Sequence, residues 1–224
     1  MRMRVAAAAP AALALTLAAP VRAHPSWPDG FVARLEAQAL LQGLNADLLG
    51  HDSATATLQR FCDLHGGRPG LKIAARRMPG PDKPAGEAER RELQVGPQAQ
   101  LRYRRVALAC GEATLSQADN WYRPDRLTPE MNRLLDDTDT PFGVAAAPLA
   151  YRRRTLASNV LARPLPEGWE RQPPQANAGP WTPPAQILEH RAVLITPDGI
   201  PLSLVVETYS AALLALPEAV GKVP

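Results

Sequence analysis

The sequence is poor in the residues that build metal and redox centres, with two cysteines and four histidines in 224 residues. Two thiols cannot supply a zinc framework, and one pair is too few for a disulfide scaffold. Aromatic residues make up only 5% of the chain, three of them phenylalanines, which leaves little for a platform of stacked bases. Motifs that announce common chemistries are missing too: there is no G-x-S-x-G elbow, no G-x-x-x-x-G-K-[ST] loop, no H-E-x-x-H pair and no Gly-rich dinucleotide fingerprint. No metal and no cofactor is therefore expected. The rest of the composition is ordinary. With 46% hydrophobic and 21% charged residues, the chain can build a real core, and disorder of the whole chain is excluded.

Residues 1–23 read as a secretory signal: a basic start at Met1-Arg2-Met3-Arg4, an Ala/Leu-rich stretch over 5–19, and Val21-Arg22-Ala23 with small residues at −3 and −1. The apolar stretch is shorter than the roughly 20 residues of a membrane span and contains Pro10. Cleavage before His24 removes Arg2, Arg4 and Arg22, which account for the net charge of +3. What remains, residues 24–224, is balanced in charge and has no long-range field to collect on nucleic acid or anionic lipid. It is expected to be one exported domain, periplasmic or secreted, without a membrane span and with a monomer favoured. In an oxidising compartment Cys62 and Cys110 either pair or remain two buried thiols, and the sequence leaves both open.

Apolar positions at helical spacing predict a helical region over 31–49. Ser53 then caps a second helix running to about Leu64, which ends at His65-Gly66-Gly67. Residues 71–78 are strand-like up to Pro79-Gly80-Pro81, and 87–95 form either a short helix or a loop. Residues 101–110 and 114–122 form an antiparallel hairpin about Gly111-Glu112. Thr128 and Pro129 start a helix through Met131, Leu134 and Leu135. After a turn-rich stretch, 144–161 reads as mostly extended. Seven prolines between 163 and 184 predict an exposed loop. Residues 188–196 and 201–209 flank Pro197-Asp198-Gly199 as a last hairpin, and the tail after Ala211 is a short helix or a frayed end. Two hairpins with several helices give an α+β fold with one antiparallel sheet.

Side-chain alternation puts Arg104 on the same strand face as Val106, Leu108 and Cys110. The apolar run 202–206 reads as a covered strand, and Glu207 continues directly from it. A buried carboxylate needs a cation or a proton, so Arg104 and Glu207 are either a structural pair, or two poles of one small cavity in which the guanidinium takes a ligand carboxylate. His190 reads as a strand surface residue. Arg152-Arg153-Arg154 reads as a solvated edge, since three successive residues point to both faces. Phe142, Trp121 and Tyr209 either line or plug the cavity.

Five segments taken in order carry a resemblance: Asp52-Ser53-Ala54-Thr55, Tyr103-Arg104-Arg105-Val106, Leu115-Ser116-Gln117-Ala118-Asp119-Asn120-Trp121-Tyr122, Thr140-Pro141-Phe142-Gly143, and Val206-Glu207-Thr208-Tyr209. Spread over residues 50–210, they resemble the chorismate lyase family and, within that superfamily, its exported bacterial members. The resemblance implies an antiparallel sheet with flanking helices that enclose a small internal ligand pocket. It also implies cofactor-free cleavage of chorismate to 4-hydroxybenzoate and pyruvate. In these terms Arg104 binds a carboxylate, Glu207 holds the opposite, hydroxyl end, and both act in catalysis, while the backbone at Ala54 and Phe142 contacts the ligand. The chain departs from the family in its export signal, in the Pro-rich insertion, in Val144 where an Arg is usual, and in one extra residue between the Gly199-Ile200-Pro201 turn and Glu207. A shift of one residue reverses the face of Glu207 unless a bulge absorbs it. The same fold resembles the UTRA ligand-sensing domains, which bind metabolites without turnover. Three readings therefore stand: a lyase, an exported non-catalytic binder or sensor of a small aromatic carboxylate, and a structural protein whose pocket is filled by side chains.

Overall fold

A computed structural model describes residues 26–65, 70–174 and 179–215. The proposed signal segment and its cleavage site lie outside these residues, as does Gly66-Gly67 after the second helix. Six antiparallel strands form one sheet in the order β1-β2-β3-β6-β5-β4: β1 (Ile73–Arg77), β2 (Arg102–Cys110), β3 (Ala113–Tyr122), β4 (Arg152–Val160), β5 (Gln186–Ile195) and β6 (Pro201–Ser210). Helices α1 (Phe31–Gly50), α2 (Ala54–His65), α4 (Pro129–Asp137) and α5 (Phe142–Ala145) cover one face, and the segment around α3 (Glu87–Glu92) lies against the other. This is the α+β architecture expected from the two hairpins.

The helix starts follow local chemistry. The Ser53 hydroxyl accepts from the Ala56 amide at 3.2 Å, and Thr128 accepts from Met131 at 3.2 Å. Each thereby satisfies an amide that the first turn leaves free. Within 87–95 the helix covers Glu87–Glu92, its start held by Glu89 accepting from the Gly86 amide at 3.0 Å, and 93–95 turn out of it. Apolar faces of α1 and α2 pack through Leu41, Leu48 and Leu58 onto Val106, Leu108, Ala192 and Val205.

Three expectations are corrected. Residues 144–161 are not extended throughout: α5 and a 3-10 turn, Ala147–Leu149, come first, and the strand begins only at Arg152. Pro141 stands ahead of α5 and Ala150 adopts a positive φ of 49°, which breaks the chain into turns. The Pro-rich stretch is not simply an exposed loop. Arg34 of α1 donates to the Pro164 carbonyl at 3.0 Å and the Gly179 carbonyl at 3.0 Å, and Leu165 is buried. Nor is His190 a surface residue: β5 lies between β4 and β6, and α1 covers the ring.

The register of β6 shifts by one residue ahead of Glu207. Leu194 pairs with Ser203 but Ile195 pairs with Pro201, so β6 bulges at Leu202. Leu202 consequently packs with Tyr122 and Leu194, while Leu204 packs on the other face with Trp121 and Val193. Beyond the bulge Glu207 returns to the face that carries Arg104.

Candidate functional site

On the helix-covered face, the sheet and the start of α2 enclose a cavity lined by Arg104, Val106 and Leu108 of β2, Ala118 and Asn120 of β3, Val205 and Glu207 of β6, and Arg153 of β4. Ala54 and Phe142 line it from the helical side, so the structure brings all four sequence-derived candidates, Arg104, Glu207, Ala54 and Phe142, to one place. Register sets their spacing. Arg104 lies opposite Asn120, and Asn120 opposite Val205, so Glu207 stands two strands across and two residues along. At ~4.8 Å per strand and ~3.4 Å per residue, the two Cα atoms are about 12 Å apart. Space open to the centre of a water molecule is about 50 Å³, several times the ~10–15 Å³ one water needs but below the ~150 Å³ of a cavity that holds benzene.

At one end, Arg104 is 5% exposed. It donates to the carbonyls of Thr140 at 2.9 Å and Thr138 at 3.3 Å, and its Nε has no partner. No carboxylate lies within ion-pair distance of it among the described residues. Burial pulls the guanidinium pKa down, and the nearby charge of Arg77 adds to that. A buried cation without a counter-ion carries an uncompensated desolvation cost, which an anionic ligand in the cavity would relieve.

At the other end, Glu207 is not paired with Arg104. Arg153 reaches its Oε2 at 2.7 Å, with 2% and 8% of the two side chains exposed, and the Tyr209 hydroxyl donates to the same oxygen at 3.0 Å. Burial, the largest single influence, lowers the Arg153 pKa, but Glu207 together with Tyr209 and Tyr151 outweighs it and the net shift is upward. The Tyr209 phenol is pushed well up, first by burial and then by the carboxylate charge. Oε1 of Glu207 takes no hydrogen bond from the described residues and is the acceptor left for a ligand. Behind the pair, His190 Nε2 meets Asn45 Oδ1 at 2.8 Å and Ser158 Oγ at 3.1 Å. Burial, then Arg153, push its pKa down to about 4, so the ring is neutral.

The solvated-edge reading of Arg152-Arg153-Arg154 therefore fails at its middle residue. Arg152 and Arg154 are exposed while Arg153 turns inward, as alternation from the buried Tyr151 requires. That alternation, and the need of Glu207 for a cation, were the sequence signals for Arg153. Tyr209 neither lines nor plugs the cavity but holds Glu207, and Trp121 lies on the opposite sheet face.

The segment ahead of α2, and α5 beside it, are held over the cavity by bonds from Tyr151 and Arg153. Asp52 accepts from the Arg153 amide at 2.9 Å, and Tyr151 donates to the Gly143 carbonyl at 3.2 Å. A Cβ on Gly143 would lie 2.9 Å from the Tyr151 hydroxyl oxygen and 3.0 Å from Thr55 Oγ1, closer than van der Waals contact, so only glycine lets α5 approach α2 this closely. The far half of α2 is tied down covalently by a Cys62–Cys110 disulfide, with Cα atoms 5.7 Å apart. Phe142 tilts against Tyr122 with ring centroids 5.3 Å apart. Among the described residues, no group of His, Cys, Asp and Glu is placed to hold a metal ion, and no helix is long and apolar enough to cross a membrane.

No family model matches the chain. Among solved structures, it is similar to the effector domain of PhnF from Mycobacterium smegmatis, with TM-score 0.42 and 13% identity over 63% of this chain and 82% of that one. It is also similar to the C-terminal domain of YurK from Bacillus subtilis, with TM-score 0.40 and 14% identity over 61% of this chain and 89% of that one. For YydK of Bacillus subtilis the TM-score is 0.41 and the identity 13%, over 64% of this chain and 60% of that one, less than two thirds of its length. A far closer sequence relative exists: 48% identity over 194 residues, taking in 85% of this chain and 82% of its relative, places the chain in one family with the uncharacterized protein y4mC of Sinorhizobium fredii.

Proposed function

We propose that the protein binds a small carboxylate in the cavity between Arg104 and Glu207. The observation that carries this reading is the buried Arg104 guanidinium without a carboxylate partner, facing a cavity whose far end holds a carboxylate already neutralised by Arg153. Arg104 takes the ligand carboxylate, and Glu207 Oε1 accepts from a hydroxyl on the opposite side of the ligand. A carboxylate of the size of pyruvate fits the free space, whereas a ring-bearing ligand requires the short helix α5 with Phe142 to move outward. Export of the chain belongs to the same reading, and the Cys62–Cys110 pairing supports it because disulfides persist in oxidising compartments.

A second reading is turnover of chorismate, favoured by the free Oε1 of Glu207 opposite Arg104. In it the bond from the ring carbon to the ether oxygen breaks, that oxygen leaving with the enolpyruvyl group, the ring loses the proton on the hydroxyl-bearing carbon and becomes aromatic, and enolpyruvate takes up a proton to leave as pyruvate. Orientation and exclusion of water would supply the rate.

One experiment addresses both readings. Protein starting at His24 is titrated calorimetrically with pyruvate, benzoate and 4-hydroxybenzoate, and incubated with chorismate while pyruvate is followed. Saturable binding that weakens at least tenfold in Arg104→Ala is expected. Absence of binding by all three would overturn the proposal. Pyruvate release that is lost in Glu207→Ala would establish the lyase.

A further inference from the structure

Arg104 borders a second cavity, of about 450 Å³, at the sheet end where β2 begins. Its size lies within the ~300–1,000 Å³ of ordinary ligand sites, and the small-carboxylate reading does not use it. Arg77, Lys83, Arg102 and Arg104 line it against two acids, Asp82 and Asp136.

Register explains the cluster. Arg77 of β1 pairs with Val106 of β2, so Arg104, two residues earlier, is its diagonal neighbour on the same face, with Cα atoms about 7–8 Å apart. Arg102 follows on that face at the next alternate position. Nearby acids do not neutralise the group. Lys83 is bonded to Asp119 and Arg102 to Asp136, but among the described residues Arg77 donates only to the carbonyls of Leu135 and Asp136, both at 2.7 Å, and Arg104 only to those of Thr138 and Thr140. Carbonyls at the end of α4 orient these guanidiniums without cancelling a full charge. Each guanidinium carries five donors, and those bonds leave most of them unused.

We propose that this outer cavity is an oxyanion site for a doubly charged, phosphate-type group. Four cations against two acids leave the lining with an excess charge of two, which matches a doubly charged group, and guanidiniums from β1 and β2 offer forked donors to its oxygens. Because Arg104 borders both cavities, an occupant here draws on the cation that the inner cavity uses, so the two ligands oppose one another. That coupling rests on the small-carboxylate reading; the outer site itself does not.

The test is a titration of the chain from His24 with inorganic phosphate, at ionic strength fixed with chloride, by calorimetry and phosphorus NMR. Saturable binding that acetate does not reproduce is expected, weakened at least tenfold in Arg77→Gln and in Arg102→Gln, the latter altering a half-exposed side chain. Heats that follow ionic strength alone, or unchanged affinity in a folded variant, would overturn the site. With phosphate saturating, the apparent Kd for 4-hydroxybenzoate should rise severalfold. Phosphate binding without binding of pyruvate, benzoate or 4-hydroxybenzoate would remove the inner reading and leave this one standing, and phosphate and an inner ligand binding independently would overturn the coupling.

Discussion

Arg153 and Glu207 meet at 2.7 Å although β5 runs between the strands that carry them. The contact spans the sheet from its edge to its interior and closes one end of the cavity, so the edge strand β4 is bound to the site by charge as well as by its backbone ladder.

Removing one partner of this buried pair leaves the other charge stranded. Arg153→Ala is expected to lose about 3–5 kcal/mol of stability, read as a lowered urea midpoint. The double substitution Arg153→Met with Glu207→Leu should recover most of that loss, because no unpaired charge then remains. A single variant as stable as the double one would show that the pair is not closed in solution.

His190 gives the stability a pH dependence of known sign. Its pKa is about 4 in the folded chain against about 6.5 unfolded, so between these values the unfolded state binds more protons and stability rises with pH. As pH falls from 6.5 toward 4, a contribution on the order of 3 kcal/mol is lost. Urea unfolding from pH 4.5 to 7 should therefore show a positive slope that flattens in His190→Asn. An equal slope in that variant would place the origin elsewhere, among the carboxylates.

Reduction of Cys62–Cys110 releases a loop closed over a sequence separation of 48. The chain-entropy relation puts the loss at roughly 4 kcal/mol. Dithiothreitol should lower the urea midpoint of the wild-type chain, and Cys62→Ser with Cys110→Ser should match the reduced protein. An identical midpoint with and without reductant would mean that the thiols are not joined.

Much of this architecture was legible because local signals and tertiary packing agree. Ser53 and Thr128 cap the helices they announce, both hairpins form about their turn residues, and the alternation along β2 places Arg104 correctly. Prediction failed where the outcome depends on neighbours distant in sequence. Whether β5 is central or an edge decides the burial of His190, and nothing near His190 carries that information. Three successive arginines look alike locally, and what separates Arg153 from its flanks is the covering of Tyr151 and the demand of Glu207 for a cation, both set by residues distant in sequence. The Pro-rich stretch has loop chemistry, but its docking depends on Arg34, about 130 residues away. The pairing of Cys62 with Cys110 likewise needed three-dimensional proximity to be decided.

The strand order also has a kinetic meaning. Strands β1, β2 and β3 are neighbours in sequence and in the sheet, as are β4, β5 and β6, and the halves join only where Asp119 pairs with Val206 and its neighbours. Each half contains one tight hairpin, β2–β3 or β5–β6, to which β1 or β4 adds over a connection of moderate length, while the central seam must close a longer stretch of chain and forms late. Arg104 belongs to the first half and Glu207 with Arg153 to the second, so the cavity comes into being only at that last docking step.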